Sequence, residues 1–465
     1  MNAAGQDYAR IGRDCGLKRY FTIFIVIFIV AAVLSACGRE EDGKAAEGDG
    51  GGISNRNGDQ AETADTGDSG ATELIFFSEN GMSGKIFDDN YGNAIRKAFP
   101  AYTIKYIQKA NGTSMDDLLA AGTHIDIYLD SIGNYESRLF SRKLQYDMTD
   151  LIKKHNIDLS LLEPTVVDAV KQASGGRMYG IPVLSSNLAL FYNQDLFDTF
   201  SVPYPKAGMT WDEVLELAKK LTRMDGGKQI YGFAAYNAMV NLSPLSIQHA
   251  DLKTEKPTIL SDERWRTLFD TAFVKPAQDS GYREGMRTLK DLPGLNQFAK
   301  DQSLAMLVYL NTLPTSVPTE LKTMKWDILP LPVFADMRDV GSQLLPTYFG
   351  LTTLTQNKDA AMKVLKYMVS EPYQNHIAGK GLIPVLNTDG VKRRLGQDTE
   401  FKDKNYAAFL QNKPAPIAPK TEYDAKLVSI YRKQMFPLAV GDTDFNTAFR
   451  AAEEEAIKAI ADSKK

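Results

Sequence analysis

Polar and aromatic side chains stand where apolar, strand-like runs of this sequence end. The pattern recurs at four places: Glu79 and Asn80 after ELIFF, Asp130 and Ser131 after HIDIYL, Tyr236 and Asn237 after YGFAA, and Tyr309 and Asn311 at the end of LAMLVYLN. Amides and hydroxyls donate and accept hydrogen bonds, and a tyrosine adds a flat apolar face. Because ligands of open α/β sheets bind beyond the carboxyl ends of strands, these residues are candidates for the capture of a small polar ligand.

Two further pairs of candidates lie inside apolar runs. Ser185 and Asn187 interrupt the run YGIPVLSSNLALFYNQDLF, and we expect ligand contact from them. The alternative is a hydrogen-bonded turn whose side chains satisfy only their own backbone. Tyr348 and Phe349 precede a glycine in LPTYFGLTTL and are also expected to contact ligand, with simple packing as the alternative for Phe349.

The sequence lacks the usual signatures of catalysis. The four histidines, at positions 124, 155, 249 and 376, have no spacing typical of shared metal ligation, and the two cysteines form no pair. Neither the G-x-S-x-G elbow nor the G-x-x-x-x-G-K-[ST] loop occurs. A pair of carboxylates for glycoside cleavage stays open, because such groups need only meet in space. We therefore expect no catalytic residue, no metal and no cofactor.

The runs that would position these candidates alternate between strand and helix patterns. ELIFFS, YTIKYI and HIDIYLD are typical of strands, and DDNYGNAIRKAF places apolar residues at helical spacing. Thr210 and Glu213 predict a capping box before the apolar stripe of MTWDEVLELAKKLT, and Ser261 and Asn357 are further predicted helix caps. The alternation predicts an α/β fold with parallel strands.

The N-terminus has the pattern of an export signal. Basic residues precede the apolar run 21–34, which ends in the tetrapeptide Leu-Ser-Ala-Cys at Cys37. This tetrapeptide resembles the bacterial lipobox, so residues 1–36 are a predicted signal peptide and Cys37 is a predicted lipidation site. The alternative is an uncleaved anchor helix. Residues 37–71 are rich in glycine and acidic residues, which predicts a disordered tether.

Several segments in a fixed order resemble a known family. They are GRMYGIPVLSSNLALFYNQDLF, MTWDEVLELAKKLT, YGFAAYN, FAKDQSLAMLVYLN, KWDILPLP and AAMKVLKYMVSEPYQNHIAGKGLIPV. Together they are similar to the extracellular solute-binding proteins of ATP-binding-cassette importers, in the group typified by maltose-binding protein. The resemblance implies a monomeric α/β protein with the two-lobe, type II periplasmic-binding-protein fold, in which a ligand cleft and a hinge lie between the lobes.

The resemblance also implies lobe boundaries, a location and a partner. The first lobe is expected to comprise 72–180 and 312–354, and the second 181–311 and 355–465. The protein is expected to be lipid-anchored at the outer face of the bacterial cytoplasmic membrane. There it would deliver its solute to the permease of an importer, without any catalytic step.

A carbohydrate is the ligand class that the resemblance favours. The three tryptophans read as structural residues, so tyrosines would have to supply the faces on which a sugar stacks. One alternative keeps the fold but changes the ligand to a peptide, polyamine or organic ion, or gives the protein a sensor role; Glu79 and Asp130 together would suit a cationic ligand. A second alternative is an extracytoplasmic glycan-acting enzyme. The formal net charge of −4 gives no reason to expect nucleic acid as a partner.

Overall fold

The structure is a computed structural model that describes residues 72–464. The predicted signal peptide, the predicted lipidation site Cys37 and the predicted tether lie outside the described residues. No helix within 72–464 is long and apolar enough to cross a membrane. The sheets and apolar cores reported below are built from residues of this part of the chain.

The described chain alternates between strands and helices along its whole length. The strands are β1 (Thr72–Ser78), β2 (Tyr102–Gln108), β3 (Ile127–Ser131), β4 (Ile181–Ser186), β5 (Leu188–Asn193), β6 (Arg223–Asp225), β7 (Lys228–Ile230), β8 (Ala234–Ala235), β9 (Met306–Leu310), β10 (Trp326–Pro330), β11 (Val340–Gln343), β12 (Leu345–Leu351), β13 (Ile383–Pro384) and β14 (Lys413–Ala415). The helices are α1 (Gly84–Phe87), α2 (Asn93–Ala98), α3 (Met115–Ala120), α4 (Thr149–Lys154), α5 (Pro164–Ala173), α6 (Gln194–Thr199), α7 (Trp211–Leu221), α8 (Met239–Leu242), α9 (Arg264–Phe269), α10 (Ser280–Leu289), α11 (Leu313–Ser316), α12 (Pro318–Leu321), α13 (Lys358–Met368), α14 (Glu371–Gly379), α15 (Asp389–Arg393), α16 (Asp424–Arg432), α17 (Met435–Val440) and α18 (Phe445–Ser463). Short helical segments of π or 3-10 type are Asp88–Gly92, Glu136–Phe140, Leu159–Leu161, Asp270–Val274, Lys275–Gln278, Asn296–Lys300 and Tyr406–Leu410.

The larger sheet has six strands in the order β13-β4-β12-β3-β1-β2. Strand β1 pairs in parallel with β2 and β3, which confirms the predicted parallel strands. Strand β12 is antiparallel to both β3 and β4, and β13 is antiparallel to β4. The carboxyl ends of β1, β2, β3 and β4 therefore lie along one edge of this sheet, which we call the first edge.

The smaller sheet has four strands in the order β10-β5-β9-β8. Strand β5 is antiparallel to both β9 and β10, and β8 is parallel to β9. The carboxyl ends of β8, β9 and β10 therefore lie on the same side as the amino end of β5. We call this side the second edge.

The smaller sheet is buried on both faces. Along β5, Leu188 and Tyr192 enter one apolar core and Phe191 enters another, which is the alternation expected of a strand. A third core is built around the larger sheet. The predicted structural role of the tryptophans agrees with their burial: Trp211, Trp265 and Trp326 are at most 2% exposed.

The chain passes from the larger to the smaller sheet within three residues. Strand β4 ends at Ser186 in the larger sheet, and β5 begins at Leu188 in the smaller one. Another connection lies at Leu344, between β12 of the larger sheet and β11, which pairs with β14 in a separate two-stranded sheet. The carboxyl end of β4 belongs to the first edge and the amino end of β5 to the second, so the first passage joins the two edges directly.

Sheet membership differs from the expected lobe boundaries. Strand β4 was expected in the second lobe but is hydrogen-bonded within the larger sheet, and β10 was expected in the first lobe but belongs to the smaller sheet. Helix α13 packs into the core of the larger sheet, also contrary to expectation. An apolar run predicts a buried strand but does not tell which sheet the strand joins. We propose that 72–186 and 345–391 form the lobe of the larger sheet, and 187–344 and 392–464 the other.

The predicted helix caps have different outcomes. The capping box is confirmed, because Thr210 Oγ1 accepts a hydrogen bond from the Glu213 amide and the Glu213 carboxylate accepts one from the Thr210 amide. The cap at Ser261 is wrong, since α9 begins at Arg264. Asn357 does precede α13, but its side chain donates to a carbonyl of β1 and does not cap the helix.

One buried amide holds the strands at the end of the larger sheet in place. Gln374 of α14 is fully buried; its Nε2 donates to the carbonyls of Val183 and Met368 at 2.8 and 2.7 Å. Its Oε1 accepts from the backbone N–H groups of Val385 and Leu386 at 2.8 and 3.2 Å. The side chain therefore satisfies four buried backbone groups that lie in separate segments.

Replacing this amide tests the packing at the end of the sheet. We expect Gln374→Leu to lower the free energy of unfolding by about 2–5 kcal/mol, because several buried backbone groups lose their partners. The exposed Gln172 of α5 is a matched control, and Gln172→Leu should stay within about 0.5 kcal/mol of the unmodified protein. Urea denaturation of residues 72–465 measures both, and equal stabilities of the two variants would contradict this account.

Candidate functional site

The passage between the sheets brings two predicted contact residues together. The Asn311 Oδ1 accepts from the Asn187 backbone N–H at 3.3 Å, and the Asn311 N–H donates to the Asn187 carbonyl at 3.0 Å. Asn187 Nδ2 also donates to the Phe409 carbonyl at 2.6 Å. Asn187 Oδ1 has no hydrogen-bond partner within residues 72–464. The two amides thus fix the passage and leave one acceptor at the junction of the two edges.

Ser185 agrees with the alternative interpretation, in which its side chain bonds only to the local backbone. Its side chain is buried, and its hydroxyl donates to the Ser186 carbonyl at 3.4 Å. Strand β4 is flanked on both sides at this point, by Pro346 of β12 and Ile383 of β13. The proposed contact between Ser185 and a ligand is therefore not available in this conformation, because neighbouring strands cover the residue.

Glu79 and Asn80 follow β1 on the first edge. The Glu79 carboxylate is buried and lies 3.4 Å from Arg142 Nη1 and 3.9 Å from Lys109 Nζ. Asn80 is partly exposed, and its Oδ1 accepts from the backbone N–H of Met82 at 2.9 Å. That bond is typical of an Asx turn and leaves the Asn80 NH₂ group available for other contacts.

Asp130 lies at the end of β3 and is fully buried. It accepts hydrogen bonds from Tyr128 Oη at 3.0 Å, from the Ser131 N–H at 2.8 Å and from Arg138 Nη1 at 2.6 Å. Burial raises the pKa of the Asp130 carboxyl, although the Arg138 guanidinium opposes that rise. We expected Asp130 to contact the ligand directly, but its oxygens already accept these three hydrogen bonds. Asp130 therefore has a supporting role at the end of β3. Ser131 is partly exposed, and its Oγ accepts from Asn134 at 3.3 Å.

Tyr348 and Phe349 do not reach the site. Both side chains are fully buried in the core of the larger sheet. The Tyr348 hydroxyl donates to the Val166 carbonyl at 2.9 Å, and the Phe349 ring packs edge-on against Tyr91 with centroids 5.1 Å apart. The expectation of ligand contact is wrong for both residues. They lie within β12, which is covered by helices, and the glycine that follows them marks close packing against Tyr135 and not a cleft.

The second edge carries an aromatic pair. Tyr236 follows β8 and Tyr309 lies in β9; their ring centroids are 4.3 Å apart, with an angle of 39° between the ring planes. Both side chains are partly exposed. Strand β8 is parallel to β9, so the two predicted residues reach the same edge and come into contact.

Polar side chains flank this aromatic pair. Arg432 donates to the Asn237 carbonyl at 3.1 Å. Asn237 Oδ1 and Thr312 Oγ1 are buried side-chain oxygens that find no hydrogen-bond partner in the part of the chain that the structure describes. The second edge therefore combines a pair of flat rings with oxygens that can accept hydrogen bonds.

The sequence analysis did not identify the arginines that pair with the carboxylates of the first edge. Arg138 lies in the helical segment Glu136–Phe140, and Arg142 lies four residues later, in the turn that follows it. Arg142 additionally pairs with Asp116 at 2.8 Å. Their spacing was the available signal, but nothing in the sequence tells which carboxylates they face.

No cluster of three or more His, Cys, Asp or Glu side chains within residues 72–464 is placed to hold a metal ion. The histidines are dispersed: His124 lies near Asp126, His155 binds Asp359, and His249 faces Asp424. Each of these three histidines has a different aspartate as its neighbour. These pairs have a structural role and do not form a shared metal site.

Removal of the guanidinium that faces Asp130 gives a test with a defined pH dependence. We expect Arg138→Met to lower the free energy of unfolding by about 3–5 kcal/mol at pH 7, because it leaves a buried carboxylate without its cation. The loss should shrink as the pH falls, since the raised pKa of Asp130 lets it take up a proton and lose its charge.

Chemical denaturation at pH 4, 5.5 and 7 measures this difference. The exposed Arg177 supplies the control, and Arg177→Met should change stability little at any pH. A loss of stability by Arg138→Met that is the same at every pH would contradict the account of Asp130.

Comparisons with known proteins agree with this architecture. A family model for bacterial extracellular solute-binding proteins matches residues 80–375. A Brucella abortus protein named as a binding protein is 22% identical over 428 residues, which cover 85% of this chain and 95% of that protein. The similarity extends over almost the whole described chain.

Solved structures match at low identity but nearly full length. A sugar transporter from Rhizobium etli in an open conformation has a TM-score of 0.66 at 18% identity, covering 83% of this chain and 99% of its own. An ABC substrate-binding protein from Listeria monocytogenes in complex with cycloalternan has a TM-score of 0.64 at 18% identity, covering 84% and 100%. Maltose-bound MalE3 of T. maritima has a TM-score of 0.59 at 18% identity, covering 83% and 99%. The predicted two-lobe α/β fold is confirmed by these matches.

Proposed function

The chain belongs to the bacterial extracellular solute-binding proteins, and we propose that it captures a carbohydrate between its two sheet edges for uptake by an ATP-binding-cassette importer. The ligand would lie between the first edge, with Asn80 and Ser131, and the second edge, with Tyr236 and Tyr309. Asn187 and Asn311 would lie at the base, where the chain passes between the lobes. The protein would act by binding and release.

The contact between Tyr236 and Tyr309 is the observation that carries this proposal. Two partly exposed aromatic rings in contact at a strand end offer apolar ring surface beside hydroxyl groups. A sugar ring has an apolar face and a rim of hydroxyls that need partners. The side-chain oxygens of Asn187, Asn237 and Thr312 have no partner among the described residues, but they are buried in this conformation and could accept from that rim only after a local rearrangement.

The charges at the first edge favour a neutral ligand over a cationic one. Glu79 and Asp130 were the residues that would have suited a polyamine or another cation. Each is already accompanied by a guanidinium: Arg142 at 3.4 Å from Glu79, and Arg138 at 2.6 Å from Asp130. An additional cation would gain little from carboxylates that are neutralised within the protein. The same pairings leave neither carboxylate free for acid–base catalysis on a glycan.

The similar structures support a carbohydrate as the ligand class. The Listeria protein is in complex with cycloalternan and the T. maritima protein with maltose. Because the identity to each is 18%, the similarity by itself does not transfer a ligand. Together with the tyrosine pair and the neutralised carboxylates, it favours a mono- or oligosaccharide.

The location follows from the N-terminal pattern. Export and lipidation at Cys37 would hold the protein at the outer face of the cytoplasmic membrane, with residues 37–71 as a tether. A monomer on a tether could capture solute and reach the permease of its importer. This part of the proposal rests on the sequence alone.

A thermal-shift screen of residues 72–465 tests the ligand class. Sugars and oligosaccharides are compared with polyamines, amino acids and short peptides, each at saturating concentration. A ligand that binds only the folded state at one hundred times its Kd stabilises the protein by about 2.7 kcal/mol and raises Tm. We expect stabilisation by at least one carbohydrate; stabilisation by charged ligands alone would contradict the proposal.

Substitution of the tyrosine pair tests the aromatic face. We expect Tyr236→Ala and Tyr309→Ala each to weaken binding of the stabilising sugar by about 10- to 100-fold, equivalent to about 1.4–2.7 kcal/mol. Since the rings are in contact, the double variant should lose less than the sum of the two. Tyr236→Phe keeps the face and should retain most of the affinity.

The half-exposed Tyr204 is the control for these substitutions, because its hydroxyl binds Asp198 in the region after β5 and not at an edge. Isothermal titration calorimetry measures all variants. An affinity loss in Tyr204→Ala as large as in Tyr236→Ala would show that the losses do not come from stacking at the second edge.

Lipid anchoring has a separate test in the full chain. Cys37→Ala removes the thiol that the lipid would modify, so we expect the variant to leave the membrane fraction or to keep its residues 1–36. Metabolic labelling with a fatty acid and fractionation of the cells measure both outcomes. A variant that is processed and membrane-bound like the unmodified protein would refute lipidation at this cysteine.

A further inference from the structure

One candidate contact residue of the first edge is followed by a glycine. The asparagines expected to contact ligand are Asn80, Asn187, Asn237 and Asn311, and only the first of them precedes a glycine, Gly81. Asparagine is a chemically labile residue. The backbone nitrogen of the next residue can attack the carbonyl carbon of the asparagine side chain. A glycine hinders this attack least, because it has no Cβ.

The surroundings of Asn80 give water access to the reacting groups. Asn80 is partly exposed, and Gly81 is exposed. The NH₂ group of Asn80, which would be the leaving group, donates to no residue of the described chain 72–464. Neither packing nor a hydrogen bond from this leaving group therefore protects the side-chain amide.

The turn at Asn80 also places a hydrogen-bond donor at the oxygen that would receive charge. The Met82 backbone N–H donates to Asn80 Oδ1 at 2.9 Å. When a nitrogen attacks the side-chain carbon, this oxygen takes up the negative charge of the tetrahedral intermediate. A donor that is already in position stabilises such a charge without having to reorganise.

The same turn requires the glycine. Gly81 has a φ of 78°, in the left-handed region that glycine adopts without strain. A larger residue at this position would hinder the attack, but it would strain the turn that follows β1. The turn that presents Asn80 at the first edge thus depends on the residue that makes Asn80 labile.

We propose that Asn80 is a site of spontaneous deamidation and that its conversion weakens ligand binding at the first edge. The Gly81 nitrogen loses its proton to solvent base and forms a bond to Asn80 Cγ. The bond from Cγ to Nδ2 then breaks, and the nitrogen takes up a proton and leaves as ammonia. Water opens the resulting cyclic imide at either of its carbonyls, which yields an aspartyl or an isoaspartyl residue. The reaction needs water and base but no oxidant.

The products change the hydrogen bonding and the charge of the first edge. A carboxylate replaces the NH₂ donor and adds a negative charge next to the buried Glu79. The isoaspartyl product also lengthens the main chain between β1 and α1 by one carbon atom. We expect about tenfold weaker binding, the loss that corresponds to one hydrogen bond. This consequence rests on the proposed function, in which Asn80 contacts the carbohydrate.

Asn111 provides a control in the same chain. Within 72–464 it is the other asparagine that precedes a glycine, Gly112. Both residues are exposed in the turn after β2, and Asn111 is not among the candidate contact residues. Its conversion therefore reports on the conditions of the experiment and should leave ligand binding unchanged.

Peptide mapping by mass spectrometry tests the reaction. The purified full chain is incubated at pH 6 and at pH 9, and the conversion of amide to acid is followed at both asparagines. We expect conversion of Asn80 to aspartyl and isoaspartyl products, faster at pH 9 because the attacking nitrogen must lose its proton. An Asn80 that stays intact at pH 9, with or without conversion of Asn111, would overturn the proposal.

Two variants of the full chain test the effect on binding. The probe is the carbohydrate with the largest Tm shift in the screen of sugars and oligosaccharides. We expect Asn80→Asp, which reproduces the aspartyl product, to bind this probe about tenfold more weakly than the unmodified protein in isothermal titration calorimetry. Asn111→Asp should bind it like the unmodified protein. Equal affinities of the two variants would overturn the claimed effect on binding.

Failure of the proposed function gives a different result. In that case no carbohydrate raises Tm, while peptide mapping still finds the converted Asn80, which supports the reaction itself. A protein that binds a carbohydrate and keeps Asn80 intact at pH 9 retains the proposed function and refutes the deamidation.

Discussion

The passage of the chain through Asn187 is the constraint on which the candidate site depends. Strands β4 and β5 are consecutive in sequence but belong to different sheets, and only one residue separates them. Their shared end places the first edge and the second edge at the same junction. Two hydrogen bonds between Asn187 and Asn311, one between backbone groups and one to the Asn311 side chain, then tie β5 to the end of β9, so the aromatic pair of the second edge is held close to the passage.

The pairing of charges at the first edge follows from the position of the carboxylates at strand ends. Carboxylates at strand ends are buried when the loops around them pack, and each of those at the first edge has a guanidinium as its partner. Recognition then falls to amides, hydroxyls and aromatic rings, which suit a ligand with many hydroxyl groups.

The sequence predicted the elements and the edges better than the individual contacts. Apolar runs identified β1, β2 and β3, and the rule that ligands bind beyond strand ends led to Tyr236 and Tyr309, which the structure brings into contact. The expectation of ligand contact failed for Tyr348 and Ser185, which lie inside apolar runs. Their burial by neighbouring strands depends on sheet order, and a single sequence does not reveal that order. The lobe boundaries differed for the same reason. The charge on Asp130 was recognised, but its partner Arg138 could not be assigned, since a spacing of residues does not tell which groups face them.

The central claim is that a sugar binds between the two edges and draws the lobes together around the passage at Asn187. Small-angle X-ray scattering of residues 72–465, without ligand and with a saturating sugar that raises Tm, measures this movement most directly. The account predicts a smaller radius of gyration in the presence of the sugar, with an unchanged molecular mass. An unchanged radius of gyration at full occupancy would contradict it.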